Sequence, residues 1–229
     1  MLGVGLGLTQ PRSRGAAFVP TDIPDLVGWY DASDTATITE SGGAVSQWDN
    51  KVDADTPLVQ SVAASQPTTG VATLNGLNII RQAAGDGVNN AGGASLNFFP
   101  PGTYSAFVAS SGVAATIGGI LSSDTGVYVG FFQDGSASTT LYNGVGSPTF
   151  RINGSVPADR NALHDALVGP AIMEAINLTY SANFLLHTRY TTSVRNGAKD
   201  LGEILFYNRA VTSDESSQIV AYLTGKWGI

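Results

Sequence analysis

The stretch from Leu201 to Ile229 constrains the fold of this 229-residue chain more than any other part. Glu203 to Tyr207 reads as a strand rich in β-branched and aromatic residues, and Asn208-Arg209 as a tight polar turn. A short amphipathic helix follows. Thr212 and Glu215 have the spacing of a capping box, and Asp214 places a negative charge in the first turn, where the helix dipole favours it. Ile219, Val220, Leu223 and Trp227 fall on one face, and Gly225 and Gly228 are expected to end the helix. A strand, a turn and a helix with one apolar face require a sheet against which that face can be buried.

Near the other end stand Leu26-Val-Gly-Trp-Tyr-Asp-Ala-Ser-Asp34 and Ser41-Gly-Gly-Ala-Val-Ser-Gln-Trp48. Together with Glu203-Ile-Leu-Phe-Tyr-Asn-Arg-Ala210 and Tyr222-Leu-Thr-Gly-Lys-Trp-Gly228, they resemble laminin-G-like, concanavalin A-type domains of bacteriophage and bacterial surface proteins. The resemblance spans residues 23–229. It implies an all-β fold, an antiparallel concanavalin A-like sandwich of jelly-roll type with a short C-terminal helix. It also implies that Trp29, Asp31, Asp34, Trp48, Glu203, Asn208, Arg209 and Trp227 are structural markers. One departure is that Asn78-Ile-Ile-Arg-Gln82 lacks the Phe-Asp-Gly found after this strand in many relatives.

Composition agrees with a single β domain. Only 13% of residues are charged, about half the average share, and 28 glycines fit short strands joined by tight turns. A net charge of −7 opposes nucleic-acid binding, which needs concentrated Lys and Arg. Without cysteine there is no disulfide framework and no thiolate chemistry. The apolar start Met1 to Leu8 is too short for a membrane span and lacks the charged lead of a signal peptide.

Residues 1–22 read as a separate arm, expected to serve as an attachment segment. Gly3, Gly5 and Gly7 alternate with Leu2, Val4, Leu6 and Leu8, so an extended arm is bulky on one face only. The domain follows at 23–229. Strands are expected at Val27–Tyr30, Ala44–Trp48, near Leu58–Gln60, and at Asn78–Gln82. Tyr104–Ser110, Ile117–Leu121, Val127–Gln133, Thr139–Tyr142 and Thr149–Ile152 continue at roughly ten-residue spacing. Ala171–Leu178, Phe184–Tyr190 and Glu203–Tyr207 complete the set, with a helical turn over 158–168. Residues 50–75 read otherwise as polar loop.

Catalysis finds no support. The four glutamates, Glu40, Glu174, Glu203 and Glu215, lack the close acidic neighbours of a glycosidase pair, with Glu40 expected in a turn and Glu215 in the cap. His164 and His187 stand outside any motif. Glu203 is expected to pair with Arg209 or another arginine. Asp31 and Asp34 read as an Asx-type turn; calcium, which wants six to eight oxygens, is the weaker alternative, and no cofactor is expected. For ligand binding, Asp124, Gln133, Asp134, Tyr142 and Asn143 cluster on the central hairpins.

The expectation is a non-enzymatic phage virion protein, assembled in the host cytoplasm, that displays a lectin-like sandwich for glycan or host-surface adhesion. It would be a head or tail decoration, a fibre or a spike component. The arm would contact other virion proteins, with a homo-oligomer expected. A purely structural stabilising module is the second reading, and a bacterial carbohydrate-binding domain the third.

Overall fold

The computed structural model describes residues 17–82, 102–111, 118–123, 130–133, 138–143, 146–180, 184–186 and 199–229. Strands dominate them. The first are Leu26–Asp31 (β1), Ile38–Ser41 (β2), Ala44–Trp48 (β3), Leu58–Val59 (β4), Thr68–Leu74 (β5) and Leu77–Gln82 (β6). Gly102–Ser111 (β7), Gly118–Ser123 (β8), Gly130–Gln133 (β9), Tyr142–Asn143 (β10) and Thr149–Ile152 (β11) come next. The helix Arg160–Ala166 (α1), then Ala171–Tyr180 (β12), Phe184–Leu186 (β13), Lys199–Tyr207 (β14) and the helix Ser213–Trp227 (α2) complete the order.

All pairings among these strands are antiparallel. Ten strands form one sheet in the order β11-β12-β7-β14-β6-β5-β3-β2, with β1 also on β14 and β4 on β3. The other four form a second sheet, β10-β9-β8-β13. The protein is thus all-β with one short C-terminal helix, as the sequence leads one to expect.

The ten-stranded sheet is buried on both faces around β7. Tyr104, Ala106 and Val108 join a core with Tyr30, Trp48 and Ile80. Phe107 and Ala109 join a second core with Leu205, Tyr207 and the helix residues Ile219, Leu223 and Trp227. Alternating side chains leave a strand on opposite faces, so these two cores lie on either side of the sheet. A strand covered on both faces reads as a continuous apolar and small-residue run, as Tyr104–Ser110 does.

One bulge sets the geometry of everything that follows. Leu201 belongs to the first core, whereas Glu203 bonds to the helix on the other face. Strict alternation would put both on one face. The ladder with β7 slips between Leu201 and Glu203, and Gly202 takes up the extra residue. A Cβ on Gly202 would stand 2.9 Å from two atoms of the Trp227 ring, so only glycine lets the helix seat this closely.

The helix forms as its sequence dictates. The Thr212 N–H donates to Glu215 Oε2 at 2.8 Å, and the Glu215 N–H donates to Thr212 Oγ1 at 3.3 Å. Arg209 grips the same Glu215 carboxylate through both terminal nitrogens, at 2.8 and 2.6 Å. Gly228 ends the helix in the left-handed conformation at φ 69°, but Gly225 lies within it and does not end it.

Other expectations need correction. The region 50–75 is loop around the short β4 up to residue 67, as expected, but its end is a strand that was not expected: β5, which pairs with β6 through the Asn75-Gly76 turn. Both turn residues have positive φ, 51° and 75°, as a tight two-residue hairpin requires. Glu40 lies on β2 rather than in a turn, its Oε2 accepting from the Gly43 N–H at 2.5 Å. The helical turn expected over 158–168 is found as α1, which carries His164 and Asp165.

Trp227 is fully buried. Trp227→Ala should therefore lower stability by about 3–5 kcal/mol in urea denaturation, the range for removing a large buried aromatic. A loss below about 1 kcal/mol would show that the helix is not integral to the second core.

Candidate functional site

Glu203 is wholly buried, yet both carboxylate oxygens are saturated. Oε1 accepts from the Trp29 indole N–H at 2.6 Å and from the Tyr222 hydroxyl at 2.9 Å. Oε2 accepts from the Trp227 indole N–H at 2.8 Å and from the Lys226 ammonium at 2.7 Å. Four donors from β1 and α2 thus meet on one carboxylate of β14. An ionised carboxylate offers about four lone-pair sites, so none is left over.

The network continues outward. Lys226 Nζ also lies 2.8 Å from Asp31 Oδ1. Lys51 bridges Asp31 at 3.2 Å and Asp34 at 2.8 Å, with its ammonium 4.4 Å from the centre of the Trp29 ring. The Asp31 carboxylate turns back on its own loop, accepting the Ser33 N–H at 3.1 Å and the Ser33 hydroxyl at 2.6 Å. This is the expected Asx-type turn. Any cation at Asp31 would have to displace two ammonium groups. Among the described residues no group of three or more acidic or histidine side chains is placed to hold a metal.

The titration behaviour of Asp31 follows from these contacts. Burial pushes its pKa up, but hydrogen bonds from Lys226 and Ser33, with the charges of Lys226 and Lys51, outweigh that and lower it. For Lys51, burial pulls the pKa down while Asp34 and Asp31 more than compensate and raise it. Glu215 is held down to about 2, first by the Arg209 hydrogen bonds and then by the backbone of Thr212.

Glu203 does not pair with Arg209, contrary to expectation. Arg209 is taken by Glu215 and by Asp25, whose Oδ2 lies 3.3 Å from its Nε. The partner of Glu203 is Lys226, which sequence reasoning missed although it adjoins Trp227 in the terminal motif. Lys51 and Tyr222 were missed too. Of the remaining markers, Trp48 is fully buried against Tyr30, ring centres 5.8 Å apart. The Asn208 N–H donates to the Asp25 carbonyl at 2.8 Å, tying the turn to the start of β1.

Two further ionisable groups are buried in the large sheet. Glu174 on β12 receives Arg151 from β11 at 3.1 Å and the Ser216 hydroxyl from α2. The Lys199 amino group, fully buried at the start of β14, makes no hydrogen bond among the described residues, and burial pushes its pKa down to about 7.

Of the expected ligand residues, Gln133 ends β9, and Tyr142 and Asn143 form β10. The backbone register pairs Tyr142 with Phe131 and Asn143 with Gly130, which places these three residues in the four-stranded sheet. Asp124 and Asp134 lie outside the described residues, as do Leu2, Val4, Leu6 and Leu8 of the arm. Beside β10, a groove of about 480 Å³ is lined by Thr139, Thr140, Leu141, Pro148, Thr149, Phe150, Val156 and Pro157. None of these eight side chains is charged.

Comparison of the chain with protein-family models, with curated proteins and with solved structures finds no match in any of the three.

Two outcomes test the network around Glu203. Glu203→Gln should cost about 3–5 kcal/mol, because Lys226 would lose half of its compensation in a site closed to water. A cost near zero in denaturant unfolding would mean that the carboxylate contributes nothing as a charge. Asp31 supplies the pH dependence. Its folded pKa lies below the ordinary 3.8, so its stabilisation is present above that value and lost as the pH falls through the folded one. Asp31→Asn should flatten the decline in stability below about pH 4, measured as the urea midpoint against pH. An unchanged acid limb would remove Asp31 from the account.

Proposed function

We propose that this chain is a non-enzymatic virion structural protein of a bacteriophage, a head or tail decoration, fibre or spike component. Its β domain takes the concanavalin A-like jelly-roll arrangement and is displayed for adhesion to glycans of a host surface. The N-terminal arm attaches it to other virion proteins, and it works as a homo-oligomer.

The observation that carries this reading is the clamp on Glu203. Residues singled out by the resemblance at both ends of the chain, Trp29, Asp31, Glu203 and Trp227, come together in one hydrogen-bonded unit. Their joint use supports a shared architecture with that class of domain. The buried carboxylates support a role other than hydrolysis, since Glu203, Glu174 and Asp31 are each held by partners within the domain. A general acid or base needs a carboxyl that can reach a substrate.

Adhesion is assigned to Gln133, Tyr142 and Asn143 of the four-stranded sheet, together with Asp124 and Asp134, which follow β8 and β9 in the sequence. Weak single sites of this kind gain strength from multivalent display. The full chain, Tyr142→Ala and Asp134→Ala should be compared on arrays of host polysaccharides. Glycan retention by the parent and its loss in the variants is the expected result. If the parent retains no glycan, or the variants bind equally well, adhesion at these residues is wrong and the structural stabilising module becomes the better reading.

A further inference from the structure

Resting on the reading of the arm as an attachment segment, we propose that the groove beside β11 receives residues Leu2 to Leu8 of a second copy of this chain. The fit is one of polarity, shape and charge. Leu141, Pro148, Phe150, Val156 and Pro157 give the groove an apolar lining, and Val156 is 67% exposed although it is a large hydrophobic. An apolar side chain left open in a concavity is surface that a partner can cover. The groove's volume of about 480 Å³ falls in the range of sites that hold a few apolar anchors.

The arm has the complementary chemistry. In an extended conformation Leu2, Val4, Leu6 and Leu8 would share one face, with Gly3, Gly5 and Gly7 on the other. No charged side chain occurs before Arg12, which matches a groove without charged side chains. Arg12 and Arg14, the basic pair that follows, then face a body that is acidic, since the whole chain is at −7 with both arginines counted. Neutral segment meets neutral groove, and basic pair meets acidic body.

The root of the arm favours a second copy over the arm's own domain. Phe18 packs on Tyr222 of α2 at 5.9 Å between ring centres, and the Tyr207 hydroxyl donates to the Pro20 carbonyl at 3.0 Å. Both contacts lie on the helix side of the ten-stranded sheet. Leu141 and Phe150 of the groove belong to the core on the opposite side. An arm bound to its own domain would have to turn around the sheet edge, whereas a span of sixteen residues is long enough, at most roughly 50 Å, to reach a neighbouring copy directly. Arm into groove is a head-to-tail contact, which builds rings or open chains rather than closed pairs.

The test uses the full chain and two variants, Leu6→Asp in the arm and Val156→Asp in the groove, with Thr149→Lys as a second groove variant. Thermal melts establish that each is folded, and sedimentation velocity measures association. The parent should self-associate, and each variant alone should do so at least about tenfold more weakly. An equal mixture of Leu6→Asp and Val156→Asp should recover association but stop at dimers, because only one intact arm and one intact groove remain between them. Undiminished association in both groove variants would overturn the groove while leaving arm-mediated attachment standing. Undiminished association in Leu6→Asp would overturn the arm itself. A parent that stays monomeric, or a mixture that recovers nothing, would overturn docking between copies.

Discussion

A carboxylate buried out of reach of water is the constraint on which this structure turns. Desolvating Glu203 without partners would cost several kcal/mol, and the fold answers with four donors on two oxygens. Each donor comes from an element that must be seated for its bond to form. Trp29 requires β1 to lie in register on β14, and Tyr222, Lys226 and Trp227 require the helix to be docked by its last turn. The bulge at Gly202 is the condition for all of this, since it turns Glu203 towards the helix. A buried ion cluster of this kind adds little net stability compared with a well-packed apolar one, but it penalises every misdocked arrangement severely. Its contribution is to the choice of a single arrangement.

Lys226 shows how charge is distributed around this centre. It stands between Glu203 and Asp31, and Lys51 stands between Asp31 and Asp34. Cations and anions alternate from the dry interior to the half-open rim. The two aromatic rings nearest the ammonium groups, Trp29 and Trp227, provide π-faces as well as indole donors. This arrangement ties down the acids of the motif.

Much of this was legible in the sequence because it is local. The capping box at Thr212 and Glu215, the apolar face of the helix and the Asx turn at Asp31 each depend on residues within a few positions of one another. Long-range partnership was less legible. Arg209 is closer in sequence to Glu203 than Lys226 is, and it was expected there, but it lies past the end of β14 and meets Glu215. The two missed strands differ in kind. β5 was readable from the Asn75-Gly76 turn between Leu74 and Leu77, a strong hairpin signal that its polar surroundings obscured. β2 is a four-residue strand with one half-buried apolar residue, Ile38, so alternation had little to register. A bulge such as that at Gly202 leaves no periodic signature of its own, because it is a break in periodicity.

The clamp also determines how the domain carries mechanical load. β1 is the first strand after the arm, and it lies antiparallel on β14 from Leu26 opposite Tyr207 to Asp31 opposite Glu203. A load entering at Leu26 and leaving past Tyr207 meets both strands at the same end of the antiparallel pair, so it opens the β1–β14 ladder pair by pair from that end. The Trp29 indole bond to Glu203 and the Lys226 link to Asp31 cross the same seam near its far end. They hold that far end closed, where further opening has to break the buried clamp as well as the backbone bonds.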